Sequence, residues 1–463
     1  MADLIETQAE RSLALDALRG LAILLMVLSG SISFGDVLPA WMYHAQVPPP
    51  NHIFNPNLAG ITWVDIVFPF FLFSMGVALP LSLGRKLLHD GYFKTTIAIF
   101  KRFILLIFFA IFTYHARAWT MAADSDTSTN LLSIGCFALL FLMFSSTKFE
   151  SKKIELIRKS IGFALAIAFL AFYPFSKGFD VFKSDIIIVV LANMALFGAL
   201  IWIFTKDKPM YRLAILPFIM AVFLSGKVAH SWTSSLYNWS PLPWAYTFYY
   251  LKYLFIIIPG TIAGDWLLKL PIIKINDNKK ILLLALLPLA LVVLNITFLF
   301  TRSLMFNLLL STLLSAAIFF VAKRATLDIK YLNFFYAGIY LLFLGLFFEA
   351  YEGGIKKDFS TYSYYFVSSG FAFLTLISFL LLEKYKGLNF VFKPLISVGK
   401  NPMIAYTAGN LFLLPLLRLT HTENLLNQLN TNAYAGFARG LIFTGSVALI
   451  TIIFSRVKVF WKT

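Results

Sequence analysis

From one end to the other the chain repeats apolar runs of about 20 residues joined by short polar links, and this periodicity limits what it can fold into. A run of that length crosses a hydrocarbon core of roughly 30 Å as a helix, which satisfies its backbone groups within the segment. Barrel strands would be shorter and would alternate in polarity. With 59% hydrophobic and 13% charged residues and a mean hydropathy of +0.80, the chain also lacks the polar side chains needed to cover a water-soluble globule. The expectation is an all-α, polytopic transmembrane helical bundle.

Apolar runs bounded by charges and turn residues fall near 15–34, 61–83, 95–114, 129–147, 157–176, 184–205, 210–229, 247–268, 280–300, 302–323, 331–349, 362–382, 401–417 and 437–457, giving about 12–14 spans. Only Thr301, Arg302 and Ser303 separate the ninth run from the tenth, so the pair reads as a tight hairpin or as one partly re-entrant segment. The formal charge of +17 lies mostly in alternate links, among them Arg85, Lys86 and Lys94, then Lys148, Lys152, Lys153, Arg158 and Lys159, then Lys269, Lys274, Lys279 and Lys280. Lys384, Lys386, Lys393 and Lys400 continue the series, and the tail carries Arg456, Lys458 and Lys462. The opposite links are poor in Lys and Arg, and residues 35–60 have none. This is the positive-inside pattern, which predicts both termini in the cytoplasm and excludes a nucleic-acid surface as the reason for the charge.

No soluble domain, low-complexity linker or internal repeat interrupts the series, so residues 1–463 read as one membrane domain. The first run is not followed by a small-residue cleavage site and reads as a retained span. Cys136 is the single cysteine, so there is no disulfide framework and no thiolate cluster, and no His, Cys or Asp spacing indicates a metal site. Aromatic residues in the link from Ser231 to Trp244 form an interfacial belt or, in a sharper reading, a platform for a sugar ring.

The informative polar residues gather at the mouths of two runs, where polar groups are costly. Asp16 and Arg19, spaced i,i+3, share one helix face near the start of the first run. They form an ion pair that sets depth, or Arg19 receives an anionic group as guanidinium does for phosphate. The first long link contains His44 and His52, and Asp65 opens the second run just after Thr62. A neutral imidazole is the side chain best suited to take a proton near pH 7. Two roles are open to Asp65: fixing the tautomer of an imidazole, or capping the second helix.

The order Asp16-x-x-Arg19-Gly20, His44-Ala45, and Gly60-x-Thr62-x-x-Asp65-x-Val67-Phe68-Pro69 through Gly76 resembles the heparan-α-glucosaminide N-acetyltransferase family of polytopic membrane acyltransferases and its bacterial relatives. Residues 355–363, the run Gly399-Lys400-Asn401-Pro402 with Tyr406, and the closing residues 458–462 continue the likeness, while the middle of the chain matches mainly in hydropathy. The resemblance implies transfer of an acetyl group from cytoplasmic acetyl-CoA, as cosubstrate, to a sugar or envelope-glycan acceptor across a bacterial plasma (inner) membrane. It implies His44 as the catalytic histidine, acting as general base or as acetyl carrier.

For the CoA phosphates the candidates are Arg19, Lys400 and Asn401, the last preceding a helix start at Pro402. Two departures from the family pattern are visible. Residues 48–57 are inserted between His-Ala and the Gly-x-Thr element, which makes His52 an alternative catalytic residue. A family asparagine late in the first span is absent, and Ser29 and Ser31 stand nearby. The expected partners are the lipid bilayer and a carbohydrate or cell-envelope acceptor, with homodimerisation open. The rival reading is a transporter or flippase that uses His44, Asp65 and Glu349 as coupling groups, although paired Gly/Pro-broken spans are missing.

Overall fold

The computed structural model describes residues 12–146, 150–273, 275, 277–383 and 385–461, without the side chains of Lys386 and Asn389. Lys148, Lys274, Lys384 and Lys462 of the charged links lie outside the described residues.

Every one of the fourteen apolar runs is helical. The first is α1 (Leu13–Ser29), capped by Ser12. The second and third runs join in α2 (Trp63–His115), which bends at Gly91, where φ is 71°, a left-handed conformation that favours glycine. After the short α3 (Ala118–Met121) come α4 (Thr127–Phe144), α5 (Lys152–Phe172), α6 (Ile186–Phe204) and α7 (Pro209–Ser225). A short α8 (Trp232–Asn238) and a 3-10 stretch (Phe248–Tyr253) lead into α9 (Leu254–Leu267). The tight turn at residues 301–303 joins α10 (Asn278–Phe300) to α11 (Leu304–Arg324) as a helical hairpin. Next are α12 (Ile329–Tyr351), α13 (Tyr362–Leu382) and α14 (Asn389–Gly399). The thirteenth run is composite, with α15 (Pro402–Ala408), a π-helical turn (Gly409–Leu413) and α16 (Leu414–Leu419). After α17 (Glu423–Asn427), α18 (Ala433–Arg456) closes the bundle.

Local chemistry sets many of the boundaries. Side chains of Thr62, Asp126, Ser151, Asp185, Asp277 and Asp328 each accept a backbone N–H at a helix start, which satisfies donors the helix itself cannot. Among the described residues nine helices are long and apolar enough to cross a membrane, so the chain is a polytopic integral membrane protein. The most enclosed is α13, with 94% of its apolar window buried inside the protein. It forms the axis around which α2, α9, α10 and α12 pack.

The two ends of the bundle are distinct. At one end Arg19 Nη1 donates to the Gly399 carbonyl at 3.4 Å, and β1 (Ser145–Ser146) pairs antiparallel with β2 (Phe460–Trp461). Both described ends of the chain meet here. The approach of α1 to α14 is close enough that a Cβ on Gly20 would lie 2.0 Å from the Leu395 carbonyl oxygen, and one on Gly399 would lie 1.8 Å from that of Asp16. α14 was not among the expected spans; its 11 residues are too few to cross a bilayer. At the other end the Gly60 N–H donates to the Ile355 carbonyl at 2.8 Å, bringing the link before α2 against the link between α12 and α13.

Candidate functional site

Asp65 is held by the local sequence before it meets any partner. Thr62 and Asp65 form a capping box, in which the Thr62 N–H donates to Asp65 Oδ2 at 2.8 Å and the Thr62 hydroxyl accepts from the Val64 N–H. The Ala45 N–H adds a second backbone bond to Asp65 Oδ2 at 3.2 Å, and the Thr62 hydroxyl donates to the Tyr43 carbonyl at 2.7 Å. The Tyr364 hydroxyl on α13 donates to the Asp65 carbonyl at 2.7 Å. These bonds fasten residues 43–45 over the mouth of α2 and bury the Asp65 side chain completely.

His44 therefore stands with one ring edge over Asp65, its Nδ1 3.0 Å from Asp65 Oδ1. Its Nε2 lies 2.8 Å from Oδ2 of Asp358, which arrives on the link between α12 and α13. The Gln46 N–H also points at Nδ1, at 3.1 Å, and Asp65 Oδ1 is left without a hydrogen bond. With the ring proton on Nε2, Nδ1 accepts from Gln46 and Nε2–H donates to Asp358. Moving the ring proton to Nδ1 would give Asp65 Oδ1 its missing partner and leave the Nε2 lone pair free. The two carboxylates thus compete for the tautomer.

The two acids are not equivalent. The Asp358 side chain is 48% exposed and that of Asp65 is fully buried, so Asp358 is the one that can give way. The Asp358 carboxyl sits below its ordinary value. Burial, the largest single influence, raises it, but the His44 hydrogen bond and the charges of Lys357 and His44 together outweigh that. Lys357 Nζ stands 3.9 Å from Asp65 Oδ1, and Gln46 grips the Asp358 backbone at both its N–H and its carbonyl. The carboxylates face opposite ring nitrogens and do not converge, and no metal-binding group of three is found among the described residues.

The link that carries Asp358 is itself braced. Arg302 in the α10–α11 turn pairs with buried Glu349 near the end of α12, and both Glu352 oxygens accept N–H groups at the start of α13, from Tyr362 and Ser363, at 2.8 Å each. Lys252 Nζ donates to the Ser360 carbonyl at 3.2 Å. Glu349 therefore stands in this brace, apart from the imidazole.

His52 has a different setting. Its Nε2 accepts the Gly35 N–H at 2.9 Å, and its ring lies edge-on to Tyr43 and Phe34 with centroids 4.6 and 5.3 Å apart. It folds the inserted loop back onto residue 35. Ser29 and Ser31 bond to the Met26 and Leu28 carbonyls within their own turn, and Ser31 also meets Thr444.

The remaining candidates gather at the opposite end. Arg19 contacts Asp16 and the Gly399 carbonyl, which places it beside Lys400 and Asn401. Asn401 is 2% exposed, and its amide donates to Ser455 Oγ at 3.1 Å and the Val459 carbonyl at 2.9 Å, tying the C-terminal segment to the start of α15. Inside the bundle is a small apolar crevice lined by Ile23, Met26, Phe71, Ile188, Met403 and Tyr406. Ile23 lies one helical turn beyond Arg19, Met403 follows Asn401 closely, and Phe71 is less than two turns inside Asp65. Beside the crevice the Tyr406 hydroxyl donates to Asp185, which pairs with Arg117.

Sequence reasoning missed Asp358, Lys357 and Gln46 as neighbours of His44. The only available signal was the placement of residues 355–363 within the C-terminal likeness.

The fold and site define a polytopic helical membrane protein with an imidazole held between two carboxylates at one end of the bundle. Residues 11–267 match the profile described as a domain of unknown function (DUF5009), more than half of the chain, and the protein belongs to that family. No curated protein matches it.

Proposed function

We propose that this protein is a membrane acyltransferase that moves an acetyl group from acetyl-CoA on the cytoplasmic side to a sugar or envelope-glycan acceptor on the other side. The observation that carries the reading is His44 between Asp65 and Asp358. A buried carboxylate on one ring nitrogen and a displaceable one on the other is the arrangement a histidine base needs, because the first holds the tautomer and the second vacates the working nitrogen.

When an acceptor hydroxyl or amine displaces Asp358, the ring proton moves from Nε2 to Nδ1, where it is donated to Asp65 Oδ1, and the freed Nε2 takes the acceptor's proton. The acceptor's oxygen or nitrogen bonds to the acetyl carbonyl carbon, the C–S bond breaks, and the departing thiolate recovers the proton from the imidazolium. Such a base contributes about 10²–10⁴-fold. In the covalent variant Nε2 itself attacks the carbonyl carbon, the C–S bond breaks and the CoA thiolate leaves; the acceptor's oxygen or nitrogen then attacks the acetyl-imidazole, the N–C bond breaks, and the acceptor's proton passes to the thiolate or the released imidazole. Trapping acetylated His44 in the absence of acceptor separates the two.

The donor side rests on Arg19 and Lys400, cations suited to the CoA phosphates. Asn401 orders the backbone between them and the C-terminal segment. From Arg19 to the end of α1 the helix rises about 15 Å, the span a pantetheine arm would have to cover between helices to bring its thioester toward His44.

The test is binding and turnover of labelled acetyl-CoA by the purified protein with amino sugars as acceptors, comparing His44→Ala with His52→Ala. The expected result is loss of turnover in the first and its retention in the second. Unimpaired turnover in His44→Ala overturns the assignment, and absence of acetyl-CoA binding with altered solute uptake would make the protein a carrier.

A further inference from the structure

The links around His44 carry apolar side chains that the described residues leave exposed. Ile53 is 70% exposed, Phe54 45% and Leu58 38% on the inserted link, and Phe359 is 71% exposed on the link that carries Asp358. Gln46 joins the two groups, since its amide donates to the Pro56 carbonyl, its carbonyl accepts the Asn55 N–H, and its side chain holds Asp358. Leu58 precedes Ala59, against which Gly354 packs with no room for a Cβ. Phe54 and Phe359 thus sit on two links that one glutamine joins, forming an apolar rim beside His44.

Cations share this rim. Lys357 stands 3.9 Å from Asp65, and Lys356 has no carboxylate within 4.0 Å among the described residues. The rim also lies at the bilayer surface, because α2 and α13, two of the spans, both begin there. A ligand that meets apolar side chains and the Lys356 ammonium, with the Lys357 charge next to it, carries a hydrocarbon chain and an anionic group next to each other.

We propose that the acceptor is lipid-linked: a sugar joined through phosphate or diphosphate to a membrane hydrocarbon chain, entering the site sideways from the bilayer. The chain lies along Ile53, Phe54, Leu58 and Phe359, the phosphate meets Lys356 and Lys357, and the sugar reaches His44 by displacing Asp358. The inference rests on the acyltransferase reading for what happens to the sugar, but the binding itself is measured without acetyl-CoA.

The full-length protein in phosphatidylcholine nanodiscs is titrated with geranylgeranyl diphosphate, geranylgeraniol and inorganic diphosphate. The expected result is that the first binds at least about tenfold more tightly than either of its halves. The exposed double variant Phe54→Ser/Phe359→Ser weakens it about tenfold, and Lys356→Gln weakens the diphosphate form while leaving geranylgeraniol unchanged. With acetyl-CoA present, geranylgeranyl-phosphate-linked glucosamine is preferred over free glucosamine. Unchanged binding in the double variant overturns the proposal, and so does equal competition by phosphatidylglycerol, which would make the rim a bilayer anchor. Tight, variant-sensitive binding without acetyl transfer to either glucosamine would leave the lipid site standing and overturn the acyltransferase reading.

Discussion

Asp358 lies 314 residues beyond His44 in the chain and places its carboxylate 2.8 Å from the imidazole Nε2. The contact occupies Nε2 and ties the α12–α13 link to the link before α2. Replacing Asp358 with Asn removes the charge that draws the two together. The pH dependence has a defined sign. Because the Asp358 carboxyl is held below its ordinary value of 3.8, the closed link is stabilised above that value, and the stabilisation is lost as pH falls through the lower, folded-state value. An environment-sensitive dye at Phe359→Cys, with Cys136→Ala, should report no loosening from pH 7 to about 5 and an opening below about 4. The Asp358→Asn variant should give the open signal throughout.

Asp65 caps α2 and faces His44, and the two roles separate by substitution. Asn at this position keeps an oxygen for the Thr62 and Ala45 N–H groups but cannot accept a proton-bearing Nδ1 as a carboxylate does. Asp65→Asn should keep its melting temperature near that of the native protein while losing about 10²–10⁴ in acetyl turnover. Asp65→Ala should in addition lose about 0.5–2 kcal/mol of stability with the cap. Native turnover in Asp65→Asn would leave the residue a cap alone.

The Arg302–Glu349 pair should act on the site from a distance. Glu349 is 2% exposed, and removing one partner of a buried pair costs about 3–5 kcal/mol. Arg302 is 35% exposed and can turn to water, which puts Glu349→Gln at or below the lower end of that range. Hydrogen exchange of residues 350–361 should accelerate, with α13 itself protected as before. Acceleration spread evenly over the bundle would contradict a local brace.

Gly399→Ala should be among the most damaging single-methyl changes available. Its Cβ would lie 1.8 Å from a backbone oxygen, so α1 and α14 must separate, and overpacking of this kind costs about 1–3 kcal/mol or more. Gly135→Ala, with nothing within 4 Å of the new Cβ, is the matched control and should leave thermal unfolding in detergent unchanged.

Much of the architecture was readable before any tertiary contact was known. Hydropathy located fourteen helical runs because burial of a long apolar segment is a property of that segment alone, and the Thr62–Asp65 cap is local in the same sense. The two runs that merge through Gly91 and the short α14 were less legible, since a bent junction and an amphipathic half-span do not stand out in average hydropathy. At the site, Asp65 was found from its place at a helix entry. Asp358 was not, because a carboxylate in a polar link looks like any solvated one.

By itself the sequence determined the helices, their order, their caps and the presence of a histidine at a costly position, all of which follow from preferences within a few residues. Tertiary structure alone decided which partners those residues meet. It turned His52 onto the Gly35 backbone and the Tyr43 ring, brought Arg19 to Gly399, and set Asp358 against His44. The physical reason is that such meetings depend on how closely helices far apart in the chain can approach, which side-chain shape at each crossing settles and a pattern of polarity does not encode.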